Sequence, residues 1–268
     1  YTTLFRSPKP IIAELSFNPK QLDSISFRPT FLPTNIVSPR QMNYAFVELF
    51  SRANALAKGN FDNLFVPFRC IASDIYRKEA VVFRSGSLGD AVRASMTFPF
   101  MYKPIMINNQ LLFDGGIFNN FPVDVMRSDF KPDFMLGSAV SNNPPKPDEN
   151  DIVRQIENMI MSKSDYSIPE VEGVMLNFKL ENVNTFDFSK VDQLVKLGYD
   201  EVMKRMPEIM QRVQRRVSKE EMVLRRAHFK NQLPALKFKN VYVVGVDSLQ
   251  KQYVENIFHA GNKEFDAK

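Results

Sequence analysis

The chain has 268 residues, of which 44% are hydrophobic, with 24 Phe, no Trp and a formal net charge of +5. This length and composition predict a globular protein of one or two domains. No run reaches the roughly 18 apolar residues of a membrane-spanning helix, and prolines and lysines interrupt the first twenty residues. We therefore expect neither a spanning helix nor a signal peptide in this sequence. The lone Cys70 excludes an internal disulfide framework and a zinc site of the Cys-x-x-Cys kind.

Prolines punctuate the first 60 residues, which predicts an irregular segment followed by a helix over Gln41 to Leu56. Phe65 to Ala72 and Ala80 to Phe83 are short apolar runs that predict two strands. A short helix should follow, because Ser87 is a suitable N-cap residue with Asp90 three positions later, and this helix must end before Pro99.

The second half continues to alternate strand and helix patterns. Leu111 to Phe113 predicts a strand, as do Phe134 to Val140 and Val174 to Leu180, and helical spacing of apolar residues runs from Ile152 to Ile160. Ser189 and Asp192 predict the capped start of a long helix that Pro207 kinks or divides. Such alternation favours an α/β fold in which helices cover a mainly parallel sheet.

The positive charge is concentrated between Lys204 and Arg226, in a predicted helical stretch that also contains acidic residues. One interpretation is a solvated helix face of mixed charge. The other is a surface that contacts anionic lipid headgroups. The composition does not distinguish these two interpretations.

Several common catalytic motifs are missing from the sequence. No glycines have the spacing of Gly-x-Ser-x-Gly, Gly-x-Gly-x-x-Gly or a phosphate-binding loop. The two histidines, His228 and His259, are far in sequence from other candidate groups, and we expect them to be surface residues. No combination of His and Cys indicates a metal site.

The remaining candidate is Asp114, which directly follows an apolar strand and precedes Gly115 and Gly116. In open α/β folds, ligands bind beyond the carboxyl ends of the strands, where this aspartate is expected. The two glycines permit positive φ angles and a close approach of the backbone, and Asn119, Asn120 and Pro122 can stiffen the turn. Asp-Gly-Gly is also a good turn sequence, so a purely structural role stays open.

The spacing D-G-G-x-x-x-N-x-P, formed by Asp114, Gly115, Gly116, Asn120 and Pro122, resembles the second signature of the patatin-like phospholipase family. The upstream stretch is similar to bacterial members too. It comprises Phe65 to Asp74, Gly86 to Leu88 and Ala91 to Pro99. The similarity is good between Asn60 and Val140 and extends more weakly to about Arg226.

This resemblance implies a three-layer α/β/α sandwich and a lipid acyl hydrolase with a serine and aspartate dyad. Asp114 would be the dyad aspartate, acting on phospholipid or another fatty-acyl ester at a membrane surface, with no cofactor, metal or nucleic acid. Ser95 does not match the nucleophile, and we expect it only to pack near the site. The family's glycine-rich oxyanion loop and Gly-x-Ser-x-Gly elbow occur nowhere in these residues. We therefore expect the serine to lie outside this chain, upstream of Tyr1.

The last thirty residues show a second, weaker resemblance. The strand pattern from Phe238 to Gly245 and the helix from Leu249 to Phe258 look like the start of a polypeptide-transport-associated (POTRA) domain. The expected domains are therefore a patatin-like part over residues 1–228, incomplete at its N-terminus, and a linker with the start of a POTRA-like domain over residues 229–268. An ordinary strand and helix that close the α/β domain are the alternative.

If the POTRA resemblance holds, the location is the bacterial cell envelope at the outer membrane, with the cytoplasm as the alternative. Two functions stay open at this point. The chain is part of a serine-type lipid acyl hydrolase, or it is a non-catalytic patatin-fold passenger or binding module of an outer-membrane secretion or assembly protein.

Overall fold

The computed structural model describes residues 12–16, 37–99, 101–140, 143, 146, 149–150, 155, 158–178, 188–214, 217–238, 240–244, 247–259 and 265–266. The chain divides into two compact units. The first comprises residues 1–117 and 224–268, and the second comprises residues 118–223. Both units mix helices and strands, which confirms the α/β class.

The first unit includes the elements before residue 118 and those that lie after residue 223. The strands and helices, in chain order, are β1 (Ile12–Ser16), α1 (Arg40–Leu56), β2 (Cys70–Asp74), β3 (Glu79–Phe83), α2 (Leu88–Ser95), β4 (Ile105–Ile107) and β5 (Gln110–Asp114). In the second unit they are α3 (Val123–Phe130), β6 (Met135–Ala139), β7 (Gly173–Asn177) and α4 (Val191–Arg212). The chain then continues with α5 (Lys219–Gln232), β8 (Lys237–Phe238), β9 (Asn240–Val244), α6 (Ser248–His259) and β10 (Phe265–Asp266).

The largest sheet has the strand order β3-β2-β5-β4, and all of its neighbouring strands are antiparallel. The prediction of a mainly parallel sheet was therefore wrong for this part of the chain. For the two hairpins, β2–β3 and β4–β5, the reason is the length of the connections, since parallel neighbours need a crossover of a dozen or more residues. Four residues join β2 to β3, and only Asn108 and Asn109 join β4 to β5. Both asparagines have positive φ, 49° and 62°, as a tight hairpin turn requires.

Helix α2 packs between this sheet and helix α1. On the sheet side, Ala94 lies in a buried cluster with Ala72 of β2 and Leu112 of β5. On the other side, Leu88 and Ala91 pack around the fully buried Phe61 and against residues of α1. Complete burial of a side chain such as Leu or Phe contributes about 1.5–3 kcal/mol. These two clusters therefore fix α2 beside the end of β5.

The local predictions around α2 were mostly confirmed. The Ser87 side chain caps the helix by accepting a hydrogen bond from the Asp90 N–H at 3.3 Å. The strand expected from Phe65, however, begins only at Cys70. Phe65 is partly exposed and packs its ring on Phe229. Pro67 explains the late start, since proline cannot donate to a strand ladder.

In the terminal segment, β9 pairs in parallel with β1. Arg52 of α1 donates from Nε to the Pro234 carbonyl at 2.6 Å, which connects the first helix to the segment before β8. The expected strand and helix at the end of the chain are present as β9 and α6. The domain boundary expected between residues 228 and 229 stays a prediction.

In the second unit, β6 and β7 form a parallel pair, and both predicted strands were confirmed within a few residues. Helix α4 runs without interruption through Pro207, and its N-cap residue is Lys190, which makes no side-chain cap. The predicted start at Ser189 and division at Pro207 were therefore wrong. The helix predicted from Ile152 to Ile160 lies largely outside the described residues, although Gln155 and residues 158–160 are helical.

Within the part of the chain that the structure describes, no helix is both long and apolar enough to cross a membrane. In the basic stretch, Lys204 pairs with Glu201 at 3.2 Å and Arg205 with Glu208 at 3.1 Å. Arg212 instead lies over the Phe134 ring and donates to backbone carbonyls, including that of Val171 at 2.8 Å. Part of the positive charge thus holds the second unit together.

Candidate functional site

Asp114 is the last residue of β5, and its backbone is held on two sides. It pairs with Ala72 of the neighbouring strand β2. Its N–H donates to the carbonyl of Thr97 at 2.9 Å. The aspartate is thus fixed to both the sheet and the segment that leaves α2. Because the sheet is antiparallel, however, the predicted location at the carboxyl end of a parallel sheet does not apply.

The Asp114 carboxyl group is half-buried. Its Oδ1 accepts a hydrogen bond from the Gly116 N–H at 2.7 Å. Burial raises the pKa of this carboxyl group above its ordinary value of 3.8, and the Gly116 hydrogen bond partly opposes that shift. A carboxylate with raised proton affinity, oriented by a single backbone donor, is suited to accept a proton from a hydroxyl group.

Gly115 allows the chain to turn closely under β2. A Cβ atom at this position would lie 2.1 Å from the Ile71 carbonyl oxygen and 2.6 Å from its carbon. Only Gly59 and Gly86 have positive φ among the described glycines, so Gly115 and Gly116 do not use the positive φ that glycine permits. The physical requirement at Gly115 is the absence of a side chain, because backbone of β2 occupies the space.

The first turn after Asp114 is a 3₁₀ turn formed by Gly115–Ile117. This turn brings the Gly116 N–H back to the carboxyl group. Ile117 is buried and anchors the turn in the first unit. The structure therefore brings together three of the predicted site residues, Asp114, Gly115 and Gly116.

The remaining predicted residues, Asn120 and Pro122, belong to the second unit. Asn120 donates from its side chain to the Tyr166 hydroxyl at 2.6 Å and from its backbone to Ser164 Oγ at 3.0 Å. Pro122 is the N-cap residue of α3. Asn120 thus bonds the loop after the D-G-G segment to Ser164 and Tyr166.

Other nucleophile or base candidates in the described part of the chain are poorly suited to catalysis. Burial raises the pKa of the Cys70 thiol to about 12, so the reactive thiolate is scarcely populated at neutral pH. His228 is exposed, and its ring Nε2 lies 2.8 Å from the Gln232 side-chain nitrogen. Ser95 is half-buried at the end of α2.

Two residues that matter for the geometry of Asp114 were not identified from the sequence. Thr97 supplies the carbonyl that accepts the Asp114 N–H. Arg93, only 3% exposed, bonds the Thr97 side chain. The sequence signal for Arg93 is its position within the short apolar run from Ala91 to Ala94. A charged residue on a packed helix must have buried hydrogen-bond partners.

An apolar groove lies within the second unit and has a volume of about 220 Å³. It is formed by the start of α3, by β6 and by the loop before β7. The lining includes Phe121, Val123, Met126, Leu136, Gly137 and Ile168. A groove with such a lining suits an extended hydrocarbon chain better than a charged ligand.

The sequence model of the family described as patatin-like phospholipase matches residues 10–127, somewhat less than half of the chain. This span includes the whole D-G-G-x-x-x-N-x-P segment. An uncharacterised NTE family protein of Mycobacterium bovis is 35% identical over 83 residues, which cover 29% of this chain and 14% of that protein.

Two proteins of Caenorhabditis elegans are also similar. A patatin-like phospholipase domain-containing protein is 33% identical over 101 residues, covering 37% of this chain and 7% of that protein. A putative patatin-like phospholipase domain-containing protein is 25% identical over 190 residues, covering 57% of this chain and 17% of that protein. The chain therefore spans only a small part of the length of these relatives. The similarities support a patatin-like family and, in general terms, a lipid hydrolase.

Proposed function

We propose that this chain is the aspartate-bearing part of a patatin-like lipid acyl hydrolase with a three-layer α/β/α fold. Asp114 is the aspartate of a Ser-Asp dyad, and the serine lies outside these 268 residues. The observation that carries the proposal is the Asp114 carboxyl group itself. It is half-buried, has a raised pKa and is oriented by the Gly116 N–H, within a segment matched by the family's sequence model.

In the proposed reaction, the Asp114 carboxylate accepts the serine proton while the serine oxygen attacks the carbonyl carbon of a fatty-acyl ester. The carbon–oxygen bond to the alcohol then breaks, and the alcohol leaves with the proton from Asp114. Water hydrolyses the acyl-serine in the second half, with Asp114 again accepting and returning the proton. The half-buried position of the carboxyl group assists both halves, because its raised proton affinity favours proton acceptance.

The apolar groove supports an acyl substrate. It is lined by side chains such as Phe121, Met126 and Leu136 within the second unit, and such a lining suits an aliphatic chain. We propose that part of the fatty-acyl chain occupies this groove. Phospholipids and other fatty-acyl esters both fit this requirement, and a membrane surface is their expected source.

A short-chain fatty ester and a fluorophosphonate probe, which labels activated serines, test this function. We expect the 268-residue chain to show neither turnover nor labelling, because it contains no Gly-x-Ser-x-Gly segment. The longer protein that supplies the serine should show both. If the 268-residue chain hydrolysed the ester and Asp114→Asn abolished this turnover, the proposal that the serine lies outside these residues would be refuted. An inactive, unlabelled longer protein would refute the hydrolase and support a non-catalytic passenger.

The bacterial outer-membrane location and the POTRA-like identity of residues 229–268 stay predictions from the sequence. Both rest on the strand and helix that the structure contains as β9 and α6. Fractionation of cells that express the longer protein would test the location. Recovery in the outer-membrane fraction would support it, and recovery in the cytoplasmic fraction would contradict it.

A further inference from the structure

Arg93 of helix α2 is a buried cation that connects three separate segments of the first unit. Its Nε donates to Asn43 Oδ1 of α1 at 3.2 Å. One terminal nitrogen donates to Thr97 Oγ1, and the other donates to the Lys103 carbonyl oxygen. With only 3% of the residue exposed, the guanidinium has little access to solvent.

A buried charge needs compensation, because its removal from water is costly unless it is paired and hydrogen-bonded. Burial lowers the pKa of Arg93, and the charge of Asp90 opposes that shift. The three acceptors described above supply the hydrogen bonds. Arg93 therefore holds these three segments together, because its planar guanidinium can donate to three acceptors in different directions.

Thr97 connects Arg93 to Asp114 through hydrogen bonds of its side chain and its backbone carbonyl. Its hydroxyl group accepts from Arg93 and donates to the Arg93 carbonyl at 2.7 Å, and the residue is fully buried. The carbonyl of the same Thr97 accepts the Asp114 N–H at 2.9 Å. A continuous path of hydrogen bonds thus runs from the guanidinium through Thr97 to the backbone of the aspartate.

We propose that Arg93 is a positioning residue for Asp114 that acts through Thr97. By holding the end of α2 against α1 and the loop before β4, it fixes the carbonyl to which the Asp114 N–H is bonded. The depth and direction of the Asp114 carboxyl group depend on this anchor. Its consequence for catalysis rests on the proposed hydrolase function, whereas its consequence for the geometry of Asp114 does not.

Arg93→Lys is the most informative variant, because it keeps the positive charge but cannot reach three divergent acceptors. Two NMR measurements on the 268-residue chain report on Asp114 directly. These are the hydrogen-exchange rate of its amide and the titration of its carboxyl carbon. We expect the amide to exchange on the order of tenfold faster or more, since its bond to Thr97 is loosened. The carboxyl titration should move toward the ordinary value as the group gains access to water.

Leu88→Ala is the matched control. Leu88 is a buried residue of the same helix that belongs to the Phe61 cluster and takes no part in the hydrogen bonds from Arg93 to Thr97 and from Asp114 to Thr97. It should lower the global stability without a selective change at Asp114. If Arg93→Lys does not fold, Thr97→Val serves the same purpose, because it removes the hydroxyl group from the path and keeps the side-chain shape.

The inference is overturned if Asp114 exchanges and titrates in the Arg93 or Thr97 variant as it does in the wild-type chain, or no differently from Leu88→Ala. In the longer protein, Arg93→Lys should lower kcat with little change in KM and shift the acidic limb of the pH profile. A wild-type protein without any turnover would count against the proposed function alone, because the NMR measurements would still decide the role of Arg93.

Discussion

The Gly116 N–H donates to Asp114 Oδ1 at 2.7 Å, two residues back along the chain. This short-range bond orients the carboxyl group, and the Thr97 carbonyl fixes the backbone from which that group extends. Asp114 is thus both a turn residue and the proposed catalytic base. Stability and activity measurements together separate the two roles.

The first prediction concerns Gly115. Gly115→Ala should destabilise the first unit by about 2 kcal/mol or more, because the added Cβ would overlap the Ile71 carbonyl group and β5 would have to shift. Chemical denaturation of the variant measures this loss.

The matched control is Gly198→Ala, in the helical stretch of α4, where no atom beyond the chain neighbours and the helix's own nearby backbone lies within 4 Å of the added carbon. That change should stabilise the protein by roughly 0.5–1 kcal/mol, as expected for Gly to Ala in a helix. Equal effects at the two positions would contradict the steric explanation for Gly115.

The second prediction concerns Asp90, which borders a cavity of about 20 Å³ between α1 and α2. Burial raises the pKa of Asp90 from 3.8 to about 6, against the opposing effects of Ser87 and Arg93. The neutral form is therefore favoured in the folded state. Stability associated with this group is fully present below pH 3.8 and is lost as the pH rises through about 6.

Asp90→Asn mimics the neutral form and should stabilise the protein at pH 8 by on the order of 1–3 kcal/mol, with no gain near pH 4. Thermal unfolding at the two pH values provides the measurement. A gain of the same size at both values, or a loss at pH 8, would show that the Asp90 charge is not the cause.

The third prediction concerns Asp74 at the end of β2, whose effect on stability has the opposite dependence on pH. Its carboxyl group accepts from the Arg77 and Tyr76 N–H groups, each at 3.0 Å, and from the Gln110 side chain at 3.1 Å. The Arg77 backbone bond is the largest cause that lowers the pKa of Asp74 below 3.8. The stability that the ionised Asp74 contributes is present above pH 3.8 and is lost as the pH falls through the lowered pKa.

Asp74→Asn should accordingly lower the melting temperature at pH 7, and the difference from wild type should shrink as the pH falls below 3.8. Glu79→Gln, a neutralisation of an exposed carboxylate in the same hairpin, is the control and should have little effect at either pH. A pH-independent loss in Asp74→Asn would attribute its role to shape rather than charge.

The fourth prediction concerns the apolar groove. Leu136→Trp should fill part of its volume and raise KM for long-chain fatty esters in the longer protein, with little change for short-chain esters. Val195→Trp is the control, since Val195 is exposed on α4 and does not line the groove. The same KM change for short and long chains, or a change in the control, would contradict acyl binding there.

The sequence allowed the prediction of elements that depend on neighbouring residues. Ser87 and Asp90 correctly located the start of α2, and the run from Leu111 to Phe113 located β5. Each of these signals lies within a few residues of the structure it determines. The capping prediction was wrong for α4, whose N-cap residue is Lys190 rather than Ser189.

Features that depend on distant pairing were not predictable in the same way. The alternation of strands and helices suggested a parallel sheet, whereas β2 and β5 pair in antiparallel fashion across a long intervening segment. The steric role of Gly115 depends on where the Ile71 backbone lies, and that position follows only from this pairing. Arg93 likewise acquires its role from acceptors on three segments.

The most direct test of the proposed enzyme is Asp114→Asn in the longer protein. Asn keeps the size of Asp and an oxygen that can accept the Gly116 N–H, so the fold should persist with a nearly unchanged melting temperature. Its amide cannot accept the serine proton. Turnover per folded molecule should fall by about 10²–10⁴ or more, because a general base has been removed.

Asp62→Asn is the control, an exposed carboxylate in the same unit that pairs with Arg69 at 2.8 Å. It should retain normal turnover. The decisive measurement is therefore ester turnover per folded protein in Asp114→Asn, compared with its melting temperature. We expect lost turnover with the melting temperature preserved. Near-normal turnover would show that Asp114 is only a turn residue and would contradict the proposed dyad.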